Sequence, residues 1–525
     1  MTDNKRSLLR VFLALALMIG LAARVAPLLD PDGRGLRQFA TEDGYLMLTI
    51  ARNIALGNGM TVATGAIPTN GTQPLTSFLY AGLFWLVGGD KVGGVILVQI
   101  AGVIIALLCA VLLFLVGRRF LAGRPEATLV ASVSAALWFA GPLATRHTQN
   151  CLETGLYTCL LLVMALVLLR FFPADGRIWS LPRCLGLGAF LGVAFWTRND
   201  ACLVAGAICL VRIAPALRQG WRSLGRPVLE TAVIGTSALA VACPWLIYNR
   251  VNFGYFQPIS GVAEGAHGRY GGSLVHLPAN LADYFLVAFP TPSWLETHPA
   301  AVLFALLVIA GGVVFAFRLS AQLGAPARQL AAVVGVCTAA FTVFYGVFFG
   351  AEYFMSRYLF PLSPFLAVVG VHAAWTLATR VSAPRVRLVG AGASLVVGGL
   401  VVVVLVCLQQ ARIYARGTNN GHFQVVGWVE KHVPEETWVA AVQTGTLGYF
   451  HDRTLNLDGK VNPYALEAVL RGEMARYLLE SEAEYFADWA GHWVWNGFEL
   501  VVEDPERNLT VYRRCAANRR ETFGG

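Results

Sequence analysis

Stretches of about twenty apolar residues recur along this 525-residue chain, separated by short loops that carry arginines. A run of that length crosses the hydrocarbon core of a bilayer as an α-helix, because in lipid each segment must satisfy its own backbone hydrogen bonds. Eleven runs are read, over 8–29, 92–116, 128–144, 156–172, 185–196, 202–217, 232–247, 301–317, 330–349, 362–378 and 388–408. Only 14% of the residues are charged and the mean hydropathy is +0.59, whereas soluble domains are about a quarter charged. The expectation is an all-α polytopic membrane domain over residues 1–408.

The first run follows Lys5, Arg6 and Arg10. It is longer than the apolar core of a cleaved signal, about 7–15 residues, and reads as a signal anchor with a cytoplasmic N-terminus. The segment PLTSFLYAGLFWLVGGD (74–90) is too short to span and is read as re-entrant or interfacial. That choice puts the arginines of 118–124, 170–183, 212–226, 318–328 and 380–387 on one side of the membrane, as the positive-inside bias requires. The net charge of +9 then has a topological cause, and no nucleic-acid partner is implied. Localisation in the inner (plasma) membrane is expected. The cysteines are scattered singly. Cys109, Cys159, Cys202, Cys209, Cys243 and Cys337 lie within or at the edge of apolar runs and read as packing residues.

From about residue 409 the composition shifts towards Glu, Asp, Trp and Asn, which reads as a small soluble extracytoplasmic α/β domain, 409–525. HFQVVGWVEKHVP has helical spacing, and TWVAAVQTG reads as a short buried strand. NPYALEAVLRGEMARYLLES reads as one helix with Asn462 at the N-cap and Pro463 at N1, and FELVVED with LTVYRR as a hairpin.

The acid pair Glu42–Asp43 opens a further helix on the outer side. Thr41 is a good N-cap, and acids in the first turn favour the helix dipole. Leu46, Met47, Ile50, Ala51 and Ile54 share one face, and Gly57–Asn58–Gly59 ends the segment. It is expected to lie in the outer interface with its apolar face down. Three other charged groups arrive at the same membrane face: Arg146, His147 and Glu153; Arg198 and Asp200; and Glu352, Arg357 and Tyr358. Ionisable groups at such positions are costly and mark a functional site by default. Carboxylates with arginines at an outer face suit transfer from a lipid-linked donor. A carboxylate takes the proton of an acceptor hydroxyl, an arginine receives the departing phosphate, and shielding from water raises the pKa of the base.

In these segments the chain resembles the GT-C superfamily of integral-membrane glycosyltransferases that use polyprenyl-phosphate sugars: arabinofuranosyltransferases, with lipid A aminoarabinose transferases and protein mannosyltransferases more distant. The resemblance covers most of the chain. EDGYLMLTIARNIALGNG and TNGTQPLTSFLYAGLFWLVGG are similar to the juxtamembrane pieces of the family's first outer loop. CLETGLY, WTRND, PWLIYNRVNFG and SRYLFPLSPFL are similar to recurring family segments, and QTGTLGYFHDRTLNLDGKVN to a stretch of the soluble domains. The resemblance implies that Asp43 or Glu42 is the catalytic base. The pair is Glu-Asp where Asp-Asp is common, and Asp43 is favoured. It further implies that Arg357 and Arg198 bind donor phosphate, and that Tyr45, Arg52, Glu153, Asp200, Asn249, Arg250 and Tyr358 are pocket candidates. Inverting transfer to a glycan, lipid or protein acceptor follows, with no certain cofactor beyond a divalent cation that some family members use. The competing readings are a transporter or flippase of a lipid-linked sugar, which would favour internal repeats and broken midplane helices absent from this sequence, and an envelope scaffold, which leaves the acid pair unexplained.

Overall fold

The computed structural model describes residues 3–31, 33–172, 178–267, 299–348, 355–381, 396–401, 422–492 and 497–515, with a few isolated positions between them. Ten of the eleven expected spans fall on helices, and the eleventh is described only in part. Among the described residues seven helices are long and apolar enough to cross a membrane, and an eighth if the pair Ala127–Ala140 and Pro142–Gln149 is one span. That pair is bent by 60°, where the sequence reads as one continuous run; Gly141 in extended conformation and Pro142 at the start of the next helix make the break. The protein is a multi-pass membrane protein. Helix Leu181–Thr197 is shorter, at 17 residues. It lies close against helix Gly225–Phe253 because Gly188 and Gly192 remove side chains from the contact: a Cβ at Gly192 would fall 2.7 Å from the carbonyl oxygen of Ala238. Small residues four apart permit this approach in the membrane, where packing rather than water drives association.

The segment expected to stay in the interface forms helix Pro74–Leu86, 13 residues. At about 1.5 Å per residue it is roughly 20 Å long, short of the ~30 Å hydrocarbon core. The acid-pair helix runs from Glu42 to Ala55, with the Thr41 hydroxyl accepting from the Gly44 amide as anticipated. Its surroundings differ from the expectation of one apolar face turned to lipid. Tyr45, Leu46, Met47, Leu48, Ile50 and Ala51 are all buried. One side packs against Tyr80, Ala81 and Phe84 of helix Pro74–Leu86, and the other against Ala440, Leu455 and Phe486 of the C-terminal domain. The helix is a layer between bundle and domain.

The C-terminal domain is a five-stranded sheet with helices. Its strands are β3 (Val439–Ala441), β4 (Thr454–Asn456), β5 (Tyr485–Asp488), β6 (Phe498–Asp504) and β7 (Leu509–Arg514), in the order β4-β3-β5-β7-β6; β1 (Thr61–Val62) and β2 (Ile67–Pro68) form a separate two-stranded ribbon. β3 runs parallel to β4 and β5. The expected hairpin is present as antiparallel β6–β7, with an irregularity between Leu500 and Val502. Helix Phe423–His432 also forms as expected. The single helix expected over 462–481 is two, Pro463–Arg471 and Met474–Glu480. Gly472 adopts φ +71° as the C-cap of the first, and the Glu473 amide returns to the Ala468 carbonyl, a termination that glycine makes at little cost. Asn462 caps that helix, accepting from the amides of Tyr464 and Ala465. No disulfide joins the cysteines among the described residues.

Candidate active site

The charged residues meet because each sits at a helix end. Asp43 lies in the first turn of its helix, Glu153 and Asp200 precede the helices Thr154–Phe171 and Ala201–Gln219, and Arg198 follows Leu181–Thr197. Carboxylates are favoured at such N-termini by the helix dipole. Arg357 belongs to the short helix Met355–Leu359. These side chains line one cavity of about 440 Å³, between the bundle and the C-terminal domain, within the ~300–1,000 Å³ typical of ligand sites. Three cations line it (Arg198, Arg357 and Lys460) with four carboxylates (Asp43, Glu153, Asp200 and Glu264).

Arg198 is the most tightly held. Its guanidinium donates to both oxygens of Asp200 (2.6 Å to Oδ2) and to Glu153 Oε1 (2.9 Å). The Tyr345 hydroxyl donates to Asp200 Oδ2 at 2.7 Å. Tyr345 sits on a π-helical turn, Phe344–Phe348, at the end of helix Ala325–Val343. Its ring stacks on Tyr358 with centroids 4.1 Å apart and planes at 3°. Tyr358 in turn lies under both arginines, 4.8 Å from the Arg198 guanidinium and 5.1 Å from that of Arg357. Arg357 donates to Asp43 Oδ2 at 2.8 Å.

The two acids of the pair point apart. Glu42 turns to the C-terminal domain, where it accepts from the amides of Gly445 and Thr446 and from the Thr446 hydroxyl at 2.6 Å. Burial pushes its carboxyl up to about 7 against those hydrogen bonds. Asp43 turns into the cavity. Burial raises it too, but the charges of Arg357 and Lys460 and the Arg357 hydrogen bond outweigh that and hold it below the ordinary aspartate value. The raised pKa expected of a shielded base is therefore found on Glu42 and reversed on Asp43, because two cations face Asp43 and none reaches Glu42 as closely.

Five of the residues singled out in the sequence besides Asp43 line the cavity: Glu153, Arg198, Asp200, Arg357 and Tyr358. Glu42, Tyr45, Arg52, Asn249 and Arg250 do not. Tyr45 donates to the Leu36 carbonyl at 2.6 Å among Phe423, Tyr449 and Phe450. Arg52 donates to the Gly89 carbonyl and lies 3.7 Å from Asp452. Asn249 accepts from Asn70 and donates to the Phe256 carbonyl, bracing the 256–261 segment of the cavity wall. Arg250 is exposed and caps its own helix end at Gly254. Arg146 is exposed and His147 is buried against Phe360, neither lining the cavity, and Glu352 lies outside the described residues.

Sequence reasoning missed Lys460, Glu264, Tyr345 and Gln73. Lys460 falls within the stretch that resembles family soluble domains, but a lysine in a turn there reads as a solvated charge. Two amide oxygens on the cavity wall, Gln73 Oε1 and Asn199 Oδ1, are buried without a hydrogen-bond partner among the described residues, a demand that a hydroxyl-bearing ligand meets.

Among the described residues no three His, Cys, Asp or Glu side chains converge in a way that could hold a metal ion. At the acid pair the carboxylates diverge and Asp43 faces two cations, so this donor set does not fit a divalent cation.

Together these elements make a helical bundle with an acid-bearing juxtamembrane helix, capped by a small α/β domain over a charged cavity. Solved structures share this fold along nearly the whole chain. The structure of ArnT from Cupriavidus metallidurans bound to undecaprenyl phosphate superposes with a TM-score of 0.58 at 14% identity, covering 98% of this chain and 99% of that one. The archaeal oligosaccharyltransferase AglB from Archaeoglobus fulgidus, in complex with an inhibitory peptide and a dolichol-phosphate, gives 0.56 at 12% identity, over 93% of this chain and 70% of that one. Residues 409–517 match a domain of unknown function, DUF8728. No curated protein matches the chain in sequence.

Proposed function

We propose that this protein is an inverting glycosyltransferase that moves a sugar from a polyprenyl-phosphate donor to a hydroxyl of a cell-envelope acceptor. The observation that carries the reading is the Asp43–Arg357 contact inside a cavity at the bundle end, in a fold whose solved relatives hold undecaprenyl phosphate and dolichol-phosphate. Asp43 is the base. Kept ionised by its cationic neighbours, it accepts the acceptor's hydroxyl proton as the oxygen attacks the anomeric carbon in line. Arg357 receives the phosphate as the glycosidic bond breaks, a charge-assisted interaction that strengthens as negative charge develops. Arg198, neutralised by Glu153 and Asp200, shapes the site and holds Tyr345 and Tyr358 beneath Arg357. The unpartnered oxygens of Gln73 and Asn199 accept from sugar hydroxyls. No step runs through a divalent cation.

In this reading the protein lies in the inner (plasma) membrane, and the arginine distribution of the loops supports a cytoplasmic N-terminus with the C-terminal domain outside. The test uses the full chain in nanodiscs with a panel of polyprenyl-phosphate sugars and envelope acceptors. Release of polyprenyl phosphate by wild type, lost in Asp43→Asn, supports the reading. Donor that crosses a vesicle membrane without turnover replaces it with a transporter.

A further inference from the structure

The C-terminal domain meets the acid-pair helix through two loops. Both leave the carboxyl ends of neighbouring parallel strands, the end at which open α/β sheets build their sites. The loop after β3 leads into the short helix Gly445–Phe450, whose first residues Gly445 and Thr446 seat Glu42. Asp488 at the end of β5 holds that loop, accepting from the amides of Val442 (2.7 Å) and Gln443 (3.1 Å). The loop after β4 carries Lys460. Its shape is set locally: the Gly459 amide donates to Asn456 Oδ1 at 3.0 Å, the Lys460 amide donates to Asp458 Oδ1 at 2.8 Å, and Gly459 takes φ +78°, which only glycine adopts freely. Gly71 packs directly on the Lys460 carbonyl, with no room for a Cβ.

This turn aims Lys460 into the cavity that Asp43 and Arg357 line. Its ammonium lies 3.3 Å from Glu264 Oε2 on helix Ile259–His267. The two side chains keep 21% and 20% of their surface exposed, so the ammonium stays within reach of an anion that enters the cavity. The other cations of the cavity hold their carboxylates at shorter distance, and Lys460 lies also in the field of Asp43 and Asp458. Arg198 is matched by two buried carboxylates and Arg357 by Asp43.

We propose that the C-terminal domain is a working part of the transfer site, with Lys460 binding the donor phosphate beside Arg357 and Glu264 holding that lysine when the donor is absent. The proposal rests on the glycosyltransferase reading. In the transfer step the acceptor oxygen bonds to the anomeric carbon and its proton passes to Asp43. The bond from that carbon to the phosphate oxygen breaks, and its electron pair stays on the phosphate. A diester with one negative charge becomes a monoester approaching two, as phosphomonoesters do at neutral pH. Arg357, shared with Asp43, supplies one positive charge, and Lys460 supplies the second. The domain of unknown function thereby acquires a role: it seats Glu42 and brings a cation to the leaving group.

The test measures binding of polyprenyl phosphate alone to the full chain in nanodiscs. Lys460→Met is expected to weaken it about tenfold or more and Lys460→Arg to recover most of the loss, as befits one charge-assisted contact. Glu264→Gln, which removes the lysine's ion-pair partner and leaves it facing Asp43 and Asp458, is expected to tighten binding about threefold. Thermal unfolding identifies any variant that fails to fold, and Glu264→Gln then decides alone, since a purely structural ion pair predicts weaker binding when either partner is removed. Wild-type affinity in folded Lys460→Met, or weakened binding in Glu264→Gln, overturns the proposal while leaving the transferase reading intact. A wild type that binds no polyprenyl phosphate overturns both.

Discussion

Asp43 Oδ2 accepts a hydrogen bond from Arg357 Nη1 at 2.8 Å across 314 residues of sequence. The contact joins the acid-pair helix to the segment that leads into helix Ser363–Val381, and it is the ground on which Asp43 rather than Glu42 is proposed as the base. Asp43 is ionised at neutral pH and faces the cavity, whereas Glu42 is turned away and spends its acceptors on the C-terminal domain. Asp43→Asn is therefore expected to lower polyprenyl phosphate release by roughly 10²–10⁴, the usual worth of a general base, and to leave thermal unfolding nearly unchanged, because the amide oxygen still accepts from Arg357. Turnover within a few-fold of wild type in this variant would remove Asp43 from the mechanism.

Arg357→Ala acts on the other partner. It removes a bidentate-capable cation from the phosphate path and leaves Asp43 with Lys460 as its close cation. Losing a hydrogen bond to a charged group costs about 1.5–3 kcal/mol, so donor affinity is expected to fall by at least about tenfold, and turnover with it. Arg357→Lys restores charge without the planar fork and should recover only part. Steady-state kinetics with varied donor separates the two: an unchanged donor KM in Arg357→Ala excludes a phosphate contact.

Local chemistry was legible in the sequence and long-range burial was not. Thr41 as N-cap, Asn462 with Pro463, and the FELVVED–LTVYRR hairpin follow from signals within a few residues, and each is present. The lipid-facing surface expected for helix Glu42–Ala55 failed because apolar periodicity shows that a face is buried but not against what. Here strands about four hundred residues later in the chain cover the second side. The break at Gly472 had a signal, an arginine–glycine step inside a helical pattern, which the strong amphipathic spacing on either side masked. Tyr345 was invisible within an apolar run, and Lys460 looked like any turn lysine. Both acquire meaning only from the tertiary contacts of Asp200 and Asp43.

The Arg198 cluster is expected to be a stability element first. Glu153 and Asp200 side chains are 8% and 4% exposed and Arg198 4%. Removing the arginine leaves two buried carboxylates facing one another, and breaking a buried pair in this way costs about 3–5 kcal/mol. Arg198→Ala should lower the unfolding temperature by several degrees at least, while Tyr345→Phe, which removes one hydrogen bond to Asp200, should cost about 1–3 kcal/mol. Differential scanning of both variants checks the order. An Arg198→Ala protein as stable as wild type would show that the carboxylates protonate or rehydrate without penalty.

Glu42 is expected to make the docking of the C-terminal domain depend on pH. Its carboxyl is raised to about 7 from the ordinary 4.5, by burial first. A group whose pKa is higher in the folded state favours that state when protonated. Its contribution is complete below pH 4.5 and is lost as pH rises through 7. Each pH unit between those two values is worth roughly 1.4 kcal/mol, so the folded protein loses up to about 3 kcal/mol across the interval. Glu42→Gln keeps an oxygen for the amides of Gly445 and Thr446 and cannot ionise. The wild-type unfolding temperature is therefore expected to fall relative to Glu42→Gln as pH is raised from 5 to 8, with the two converging at the acid end. Proteolytic nicking within 422–515 should show the same trend if the loss is local to the domain. Parallel pH profiles for the two proteins would mean that Glu42 is already ionised throughout this range and that its seat at Thr446 compensates fully for its burial.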